Sequence, residues 1–284
     1  MKIPPGLASL IEDGMADRVL RQLQSGKEAE VFVVARGDEV LCAKVYKSAE
    51  HRSFQQVAKY REGRKARGSR DRRAAGKRTR HGVKVQEAHW KSAEVDALYR
   101  LAEAGVRVPT PYGVHDGVLL MELVSTEDGD VAPRLNEVNF TPEQAREWHT
   151  FMIEQVVLML CAGLIHGDLS EFNILVGPDG PVIIDLPQAV DASGNNNAFE
   201  MLSRDVNNMR ATFSTAAPEL ARTQFAIEMW DLYEAGELQP DTVLSGRHKR
   251  VYSAADVESV LDEIEMARLE SELRELGYDE DSIS

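Results

Sequence analysis

The segment His166–Asn173 (HGDLSEFN) combines residue types that can catalyse phosphoryl transfer. A hydroxyl that attacks a terminal phosphate needs an acceptor for its proton, and Asp168 has the chemistry of that acceptor. The amide oxygen of Asn173 can hold a metal ion against the phosphates. Asp185 ends a short apolar run further on, where a carboxylate is the expected main ligand of Mg²⁺. Each residue alone also suits a turn or a strand end, but their order and spacing together indicate a phosphotransferase.

A second pair of charged residues lies in positions that are costly unless the two side chains meet. Lys44 lies in an apolar, β-rich run, on the same face as Cys42 and Tyr46. Glu94 interrupts the apolar stripe of a helix that is predicted from about Ala88 to Ala104. Because a buried carboxylate needs a partner, we expect an ion pair between Lys44 and Glu94 that holds the lysine on the phosphates of a nucleotide.

The turn formed by Ser25, Gly26, Lys27 and Glu28 precedes the first clear strand and has the composition of a phosphate-binding loop. Backbone N–H groups in such a turn can donate to phosphate oxygens, and the Ser25 hydroxyl adds a donor. With a single glycine the signal is weak by itself. Its position ahead of Lys44 gives it value.

These residues need strands and helices to position them. The segment from Gly6 to Leu23 is expected to be a short helical entry that leads into the phosphate-binding turn. Glu30–Ala35 and Val40–Tyr46 are predicted strands on either side of a hairpin signal. Val118–Val124 is predicted to be a further, buried strand. The residues that follow it, up to Val131, form a polar connector.

The C-terminal half is predicted to be mainly helical. Thr141, Pro142 and Gln144 are the residue types expected at a helix start, and this helix should run through Cys161 and stop at Gly163. A second hairpin is expected in the run from Leu175 to Ile184. Further helices are expected near Ala198–Phe213, near Thr223–Ala235 and, with an acidic solvated face, from Ser253 to Leu276.

The composition is that of a soluble globular protein with room for two lobes that share a cleft. The 284 residues are 43% hydrophobic and 28% charged, which excludes a collagen-like, mucin-like or wholly disordered chain. Two cysteines exclude a disulfide scaffold and a zinc site built from four cysteines. The longest apolar run, Val156–Ile165, is far shorter than a membrane-spanning helix. We therefore expect a cytoplasmic protein without a membrane partner.

The charge is unevenly distributed along the chain. The net charge of −14 argues against a general nucleic-acid coat. However, the segment Lys59–Lys84, here called the basic island, has twelve Lys and Arg residues against two acids. It falls in a predicted flexible loop over about 48–87. The island is either a solvated loop without a partner or the binding site of an anionic partner such as RNA.

Taken together, the motifs resemble those of the RIO kinases, an atypical protein kinase family, and most closely its first branch. SGKEAEVF resembles the family's phosphate loop, and WKSAEVDALYRL resembles its glutamate-bearing helix. LIHGDLSEFNILV and VIIDLPQAV resemble its catalytic and metal-binding loops. The likeness runs, with gaps, from about Leu7 to Phe213. It implies an α+β, two-lobed protein-kinase-like fold with a small β-rich N-lobe and a mainly helical C-lobe, truncated relative to ordinary kinases.

The resemblance also implies a division of the chain and a role for each candidate residue. The N-lobe would be residues 1–121, the hinge and connector 122–131, and the C-lobe 132–284. The implied catalytic residues are Asp168, Lys44 and Glu94. The implied metal ligands are Asn173 and Asp185. The residues implied to bind ATP are Ser25, Gly26, Lys27, Glu28, Lys44, the gatekeeper Met121, and the hinge residues Glu122 and Val124.

The activity implied by the resemblance is that of a serine/threonine protein kinase and ATPase that uses ATP and Mg²⁺, with Mn²⁺ as an alternative. Its substrate would be a protein or the enzyme itself, with a link to maturation of the small ribosomal subunit. Gly167 stands where ordinary kinases have the arginine that reads a phosphorylated activation loop, so that switch is expected to be absent. Two alternatives stay open: a small-molecule phosphotransferase of the aminoglycoside or choline type, and an ATP-gated scaffold that docks on RNA or a ribonucleoprotein through the basic island.

Overall fold

An antiparallel sheet of five strands forms the N-terminal half of the computed structural model, which describes residues 3–26, 29–46 and 93–247. The strands are Arg18–Ser25 (β1), Ala29–Arg36 (β2), Glu39–Tyr46 (β3), Pro111–His115 (β4) and Val118–Glu122 (β5). Their order across the sheet is β1-β2-β3-β5-β4. The predicted hairpin of β2 and β3 is confirmed, with Arg36 paired to Glu39 at its turn.

One face of this sheet is covered by a short helix and the other faces the cleft. Helix α1, Pro5–Glu12, buries Leu7 and Leu10 against the face of β3 that carries Leu41 and Ala43. The opposite face of β3 carries Lys44, as the alternation of side chains along a strand predicts. The sheet therefore presents the lysine to the cleft on a backbone whose other side is fixed by a hydrophobic core.

The expectation of a helix from Gly6 to Leu23 is wrong beyond its first turns. The helix ends at Glu12, and residues from Arg18 onward form β1, so the phosphate-binding turn joins two strands. β1 is an edge strand, mostly exposed, and its sequence lacks the alternation that identifies a half-buried strand. β1 is a strand because its backbone pairs with β2, and the residue types of β1 do not indicate this pairing.

Strand β4 was also not anticipated, because its sequence includes Pro111 and Gly113, which weaken strands. Both residues are tolerated here because β4 is the other edge of the sheet. Asp116 and Gly117 join β4 to β5 with φ angles of 49° and 77°. Asp-Gly in left-handed geometry is the strongest short hairpin signal, and it could have revealed this strand.

The remaining described residues form a mainly helical lobe. Helix α2, residues 93–103, lies between β3 and β4 in the sequence. The helices of the lobe are Pro142–Cys161 (α3), Ala198–Ser214 (α4) and Phe225–Glu234 (α5). Two short strand pairs complete it: Leu164–Ile165 (β6) with Val190–Asp191 (β9), and Ile174–Gly177 (β7) with Gly180–Ile183 (β8). α3 lies in the largest hydrophobic core, which also includes Leu101 of α2 and Phe213 of α4.

The predicted start of α3 is confirmed in detail. The backbone N–H of Gln144 donates to the Thr141 hydroxyl at 3.2 Å, and the Thr141 N–H donates to the Gln144 side chain at 3.0 Å. Pro142 occupies the first turn, where no backbone donor is needed. Gly163 follows the helix at a φ of 73°, which favours glycine.

The described residues other than Arg247 lie in one compact unit, Met1–Gly246. Several predicted features lie outside the described residues: Lys27 and Glu28, the loop over about 48–87 with the basic island, and the acidic helix from Ser253. Within the described ranges, no helix has the length and apolar character that a membrane span requires.

A histidine is buried in the helical lobe without a hydrogen bond at one ring nitrogen. His149 of α3 is 1% exposed and lies against the rings of Phe213 and Phe225. Its Nε2 has no hydrogen-bond partner among the residues that the structure describes. Burial lowers the pKa of His149 from 6.5 to about 4, because the imidazolium cannot be hydrated there.

This burial predicts a loss of stability in mild acid. Between the two pKa values the unfolded chain binds a proton that the folded chain does not, so stability falls as the pH falls. From about pH 7.5 to about pH 5, the parental protein should lose about 2 kcal/mol more unfolding free energy than His149→Leu. Urea denaturation at both pH values measures this. Equal losses in the two proteins would contradict the assignment.

Candidate active site

A cavity of about 620 Å³ lies between the sheet and the helical lobe. It gathers most of the candidate residues from distant parts of the sequence. Those that line it are Gly26, Lys44, Glu94, Met121, Glu122, Val124, Asn173 and Asp185. Its wall also includes apolar side chains such as Val31 and Leu175, which suit the flat face of a base.

Lys44 forms the predicted ion pair with Glu94 and a second one with Asp185. The Lys44 Nζ lies 2.5 Å from Glu94 Oε1 and 3.1 Å from Asp185 Oδ1. Glu94 is 6% exposed, and it lies in the buried stripe of α2 together with Leu98 and Leu101. Burial disfavours the ammonium form, but the two carboxylates outweigh this and raise the pKa of Lys44. The lysine is therefore a fixed positive charge in the wall of the cavity.

The backbone of His166–Asn173, here called the catalytic segment after its predicted role, is held by a buried carboxylate. Asp205 of α4 is 2% exposed, and its two oxygens accept the N–H groups of Gly167 at 2.8 Å and Leu169 at 2.9 Å. The side chains of Arg204 and Asn208, on the same helix, donate to the carbonyls of Gly167 and Leu169. Burial raises the pKa of Asp205 to about 6, although these N–H groups oppose the rise.

Asp168 lies between these two backbone contacts. Its N–H donates to His166 Nδ1 at 3.3 Å, while His166 Nε2 lies 3.1 Å from the Ile184 carbonyl. Together these two contacts assign the proton of the imidazole to Nε2. Partial burial raises the pKa of Asp168 above its ordinary value, and the positive charge of Arg204 is among the opposing influences. The carboxylate thus has the reduced solvation that favours a proton acceptor.

Asn173 and Asp185 supply oxygen ligands suited to a hard divalent cation. The Asn173 Nδ2 donates to the Asp168 carbonyl at 2.9 Å, so the oxygen end of this amide is available to a ligand. The Asp185 side chain is 49% exposed, at a φ of 66°. Within the described ranges, no cluster of three His, Cys, Asp or Glu residues could hold a metal by itself. The set fits a cation that keeps water and phosphate oxygens as its other ligands.

The hinge backbone is fixed by hydrogen bonds of Glu122 and Val124. The Glu122 carboxylate accepts two N–H groups of Arg107, at 2.8 and 3.0 Å, and the backbone N–H of Thr110 at 3.0 Å. The Arg107 hydrogen bond and those from Thr110 lower the pKa of Glu122. Val124, two residues later, accepts the Ala132 N–H at 3.0 Å. The backbone from Met121 to Val124 is therefore held at Glu122 and again at Val124.

The phosphate-binding turn is described only in part. The Gly26 N–H donates to the Ala29 carbonyl at 2.9 Å, and Gly26 lines the cavity. Ser25 is exposed, is not part of the cavity wall, and donates from its hydroxyl to Glu30 at 3.2 Å. Lys27 and Glu28 lie outside the described residues. Their phosphate-binding role stays a prediction.

A sequence profile of the RIO domain family matches residues 30–226. The chain belongs to the RIO domain family. It is 37% identical over 206 residues to the RIO-type serine/threonine-protein kinase Rio1 of Haloferax volcanii, which covers 72% of this chain and 66% of that relative. It is 30% identical over 214 residues to the serine/threonine-protein kinase RIO1 of Caenorhabditis elegans, at 73% and 39% coverage. The predicted family and kinase-like fold are confirmed.

The human serine/threonine-protein kinase RIO1 is also similar, with 28% identity over 215 residues. The chain spans just under two thirds of the length of the archaeal relative, 66%, and 35% of the human protein. The matched range of the RIO domain, residues 30–226, includes the cavity-lining residues from Val31 to Gln188.

Two residues of this RIO domain cleft were missed by sequence reasoning. Asp205 interrupts the buried stripe of α4 between Leu202 and Val206, the same signal that singled out Glu94. It could have been found in the same way. Gln188 donates to the Asp168 carboxylate at 3.1 Å. No sequence pattern marks it, because a polar residue in a short loop is common, and only the distance reveals it.

The buried ion pair predicts a strong coupling between Lys44 and Glu94. Lys44→Met should cost roughly 3 kcal/mol of unfolding free energy, because it leaves a buried carboxylate without a cation. Glu94→Gln should cost less unfolding free energy in the Lys44→Met protein than in the parental protein. The difference, which is the coupling free energy, should be about 1–3 kcal/mol. Urea denaturation of the four proteins measures it.

Arg36 and Glu39 provide a matched control on the same sheet. This pair is 2.8 Å apart, but its side chains are 35% and 63% exposed. The corresponding cycle with Arg36→Met and Glu39→Gln should give a coupling below about 0.5 kcal/mol. If the Lys44 cycle were equally small, the ion pair would not be a buried interaction.

Proposed function

We propose that this RIO domain protein is a serine/threonine protein kinase that transfers the γ-phosphate of ATP and also hydrolyses ATP, with Mg²⁺ as its metal and Mn²⁺ as an alternative. The observation that supports the proposal is that Lys44, Glu94, Asn173 and Asp185 line one cavity, and that Asp168 is hydrogen-bonded to Gln188, which lines it too. A paired lysine, a desolvated carboxylate and two oxygen ligands are the parts that phosphoryl transfer requires. We assign the N-lobe to 1–121, the hinge to 122–131 and the C-lobe to 132–284.

Each group in the cleft has a distinct task in this proposal. Lys44, held by Glu94, offers a positive charge to the phosphates of ATP. A magnesium ion held by Asn173 and Asp185 would neutralise the charge that develops on the phosphates. Asp168 accepts the proton of the attacking hydroxyl. The hinge from Met121 to Val124, fixed by its contacts with Arg107 and Ala132, offers backbone groups to the base.

A protein substrate is favoured over a small molecule. The relatives reported above carry the name of serine/threonine-protein kinases. We therefore infer that the hydroxyl belongs to a protein or to this chain itself. The phosphotransferase of the aminoglycoside or choline type has no such support.

Asp168→Asn should reduce phosphate transfer by at least about a hundredfold, because the amide cannot accept the proton. Nucleotide affinity should stay within a few-fold, since the asparagine can keep its oxygen toward Gln188. The measurements are transfer of labelled phosphate to protein and titration with a fluorescent nucleotide. Asp241→Asn, at an exposed turn, is the control. Transfer at the parental rate by Asp168→Asn would sink the assignment.

We further infer that the basic island is the site for an anionic partner, such as a ribosomal particle or RNA. Its twelve cations lie in a chain with a net charge of −14, so they are the segment in which a polyanion finds concentrated positive charge. Neutralisation of phosphates by these residues would release counterions and make binding salt-dependent.

Deletion of Arg64–Arg80 tests this inference. Affinity for small-subunit ribosomal RNA should fall by about tenfold or more at low salt, and its salt dependence should weaken. Nucleotide affinity should not change, because no apolar period in the segment predicts a role in the core. Filter binding at two salt concentrations is the measurement. Equal affinity of both proteins, or none in either, would make the island a solvated loop.

A further inference from the structure

The carboxamide of Gln188 connects the two loops of the candidate active site. Its Nε2 donates to Asp168 Oδ2 at 3.1 Å, and the side chain lines the same cavity as Lys44 and Asn173. Gln188 lies three residues after Asp185. The loop that carries the candidate metal ligand therefore also carries the group that orients the candidate proton acceptor.

The backbone around Gln188 is fixed. Leu186 and Ala189 are buried in the hydrophobic core, and the Ala189 N–H donates to the Leu186 carbonyl at 3.0 Å. At the start of this loop, the Ile184 N–H donates to the Asn173 carbonyl at 2.9 Å, which connects the loop to the catalytic segment. The position of the Gln188 side chain relative to Asp168 is thus set by the fold on both sides.

The hydrogen bond between the two side chains leaves one oxygen of each available to a ligand. Within the residues that the structure describes, Asp168 Oδ1 and Gln188 Oε1 have no hydrogen-bond partner. Nε2 of the carboxamide is the donor to Asp168, so its oxygen is the acceptor end. Two acceptors on a pair of hydrogen-bonded side chains suit a molecule with two O–H groups. Water has two, whereas the hydroxyl of serine or threonine has one.

We propose that Gln188 is a water-orienting residue that favours hydrolysis of ATP over transfer to a protein hydroxyl, an inference that rests on the proposed function. The water donates one O–H to Asp168 Oδ1 and the other to Gln188 Oε1. Its oxygen forms a bond to the γ-phosphorus as the bond from that phosphorus to the β,γ-bridging oxygen breaks. The electron pair of the broken bond leaves with ADP.

The protons of this step are accounted for. One proton of the water passes to Asp168, which later returns it to solvent, and the other stays on the phosphate product. A glutamine that orients the attacking water is an established device in other nucleotide hydrolases. A protein hydroxyl needs only the Asp168 oxygen, so its transfer depends less on the Gln188 oxygen.

Gln188→Met tests the proposal, because it keeps the length of the side chain and removes both polar groups. The quantity to measure is the ratio of phosphate in phosphoserine and phosphothreonine to free phosphate, with the protein itself and dephosphorylated casein as acceptors. Hydroxylamine cleaves acyl phosphates on aspartate or glutamate side chains, so label that resists it is the label on serine and threonine. The ratio should rise by about tenfold relative to the parental protein, because hydrolysis falls more than transfer does.

Controls separate this role from a structural one. Gln224→Met makes the same change at an exposed position of the helical lobe and should leave the ratio unchanged. Thermal melting and fluorescent-nucleotide titration should give parental values for Gln188→Met. Gln188→Leu repeats the measurement if the methionine variant melts early.

The outcomes distinguish this inference from the proposed function. A ratio within twofold of the parental value, whether both rates fall together or neither falls, overturns the role of Gln188 and leaves the kinase assignment in place. A parental protein that neither transfers nor releases phosphate overturns the proposed function instead. A rise of the ratio in Gln188→Met with unchanged nucleotide affinity supports the proposal.

Discussion

The charge cluster of Lys44, Glu94 and Asp185 is the constraint on which the rest of the cleft depends. A carboxylate that is 6% exposed is tolerated only beside a cation, so the folded state requires β3 and α2 to bring Lys44 and Glu94 together. The third charge comes from the helical lobe. One ammonium group thus links the sheet, helix α2 and the loop that carries Asp185. Asp185, whose side chain is half exposed, is the member of the cluster that a ligand can reach most easily.

Asp205 solves a related problem for the catalytic segment, and it does so at a cost. Its pKa of about 6 lies above the ordinary value of 3.8, so ionisation is less favourable in the folded chain than in the unfolded one. Near neutral pH this costs on the order of 2–3 kcal/mol of stability. In exchange, the ionised oxygens fix two backbone N–H groups on either side of Asp168. The ionised Asp205 therefore lowers the stability of the fold but holds the backbone around Asp168 in place.

Sequence reasoning succeeded where one segment contains its own reason for being ordered. Thr141 and Gln144 cap a helix with their own side chains. The position of Glu94 within an apolar stripe indicates that it is buried. Sequence reasoning failed where the reason lies in another segment. β1 is a strand because β2 pairs with it, and Gln188 matters because the chain brings Asp168 within 3.1 Å of it. The same distinction explains why the residues of the cleft were found more readily than the contacts that hold them.

The contacts of Gly167 show how residues of α4 order the backbone next to Asp168. Its φ of 79° is favourable for glycine and strained for an arginine, the residue that ordinary kinases have there. Its N–H is bound by Asp205 and its carbonyl by Arg204, both from α4. Since one helix of the same lobe satisfies both backbone groups, folding of that lobe is sufficient to set the geometry around Asp168. A glycine at position 167 thus allows α4 to bind both polar backbone groups next to Asp168 without backbone strain.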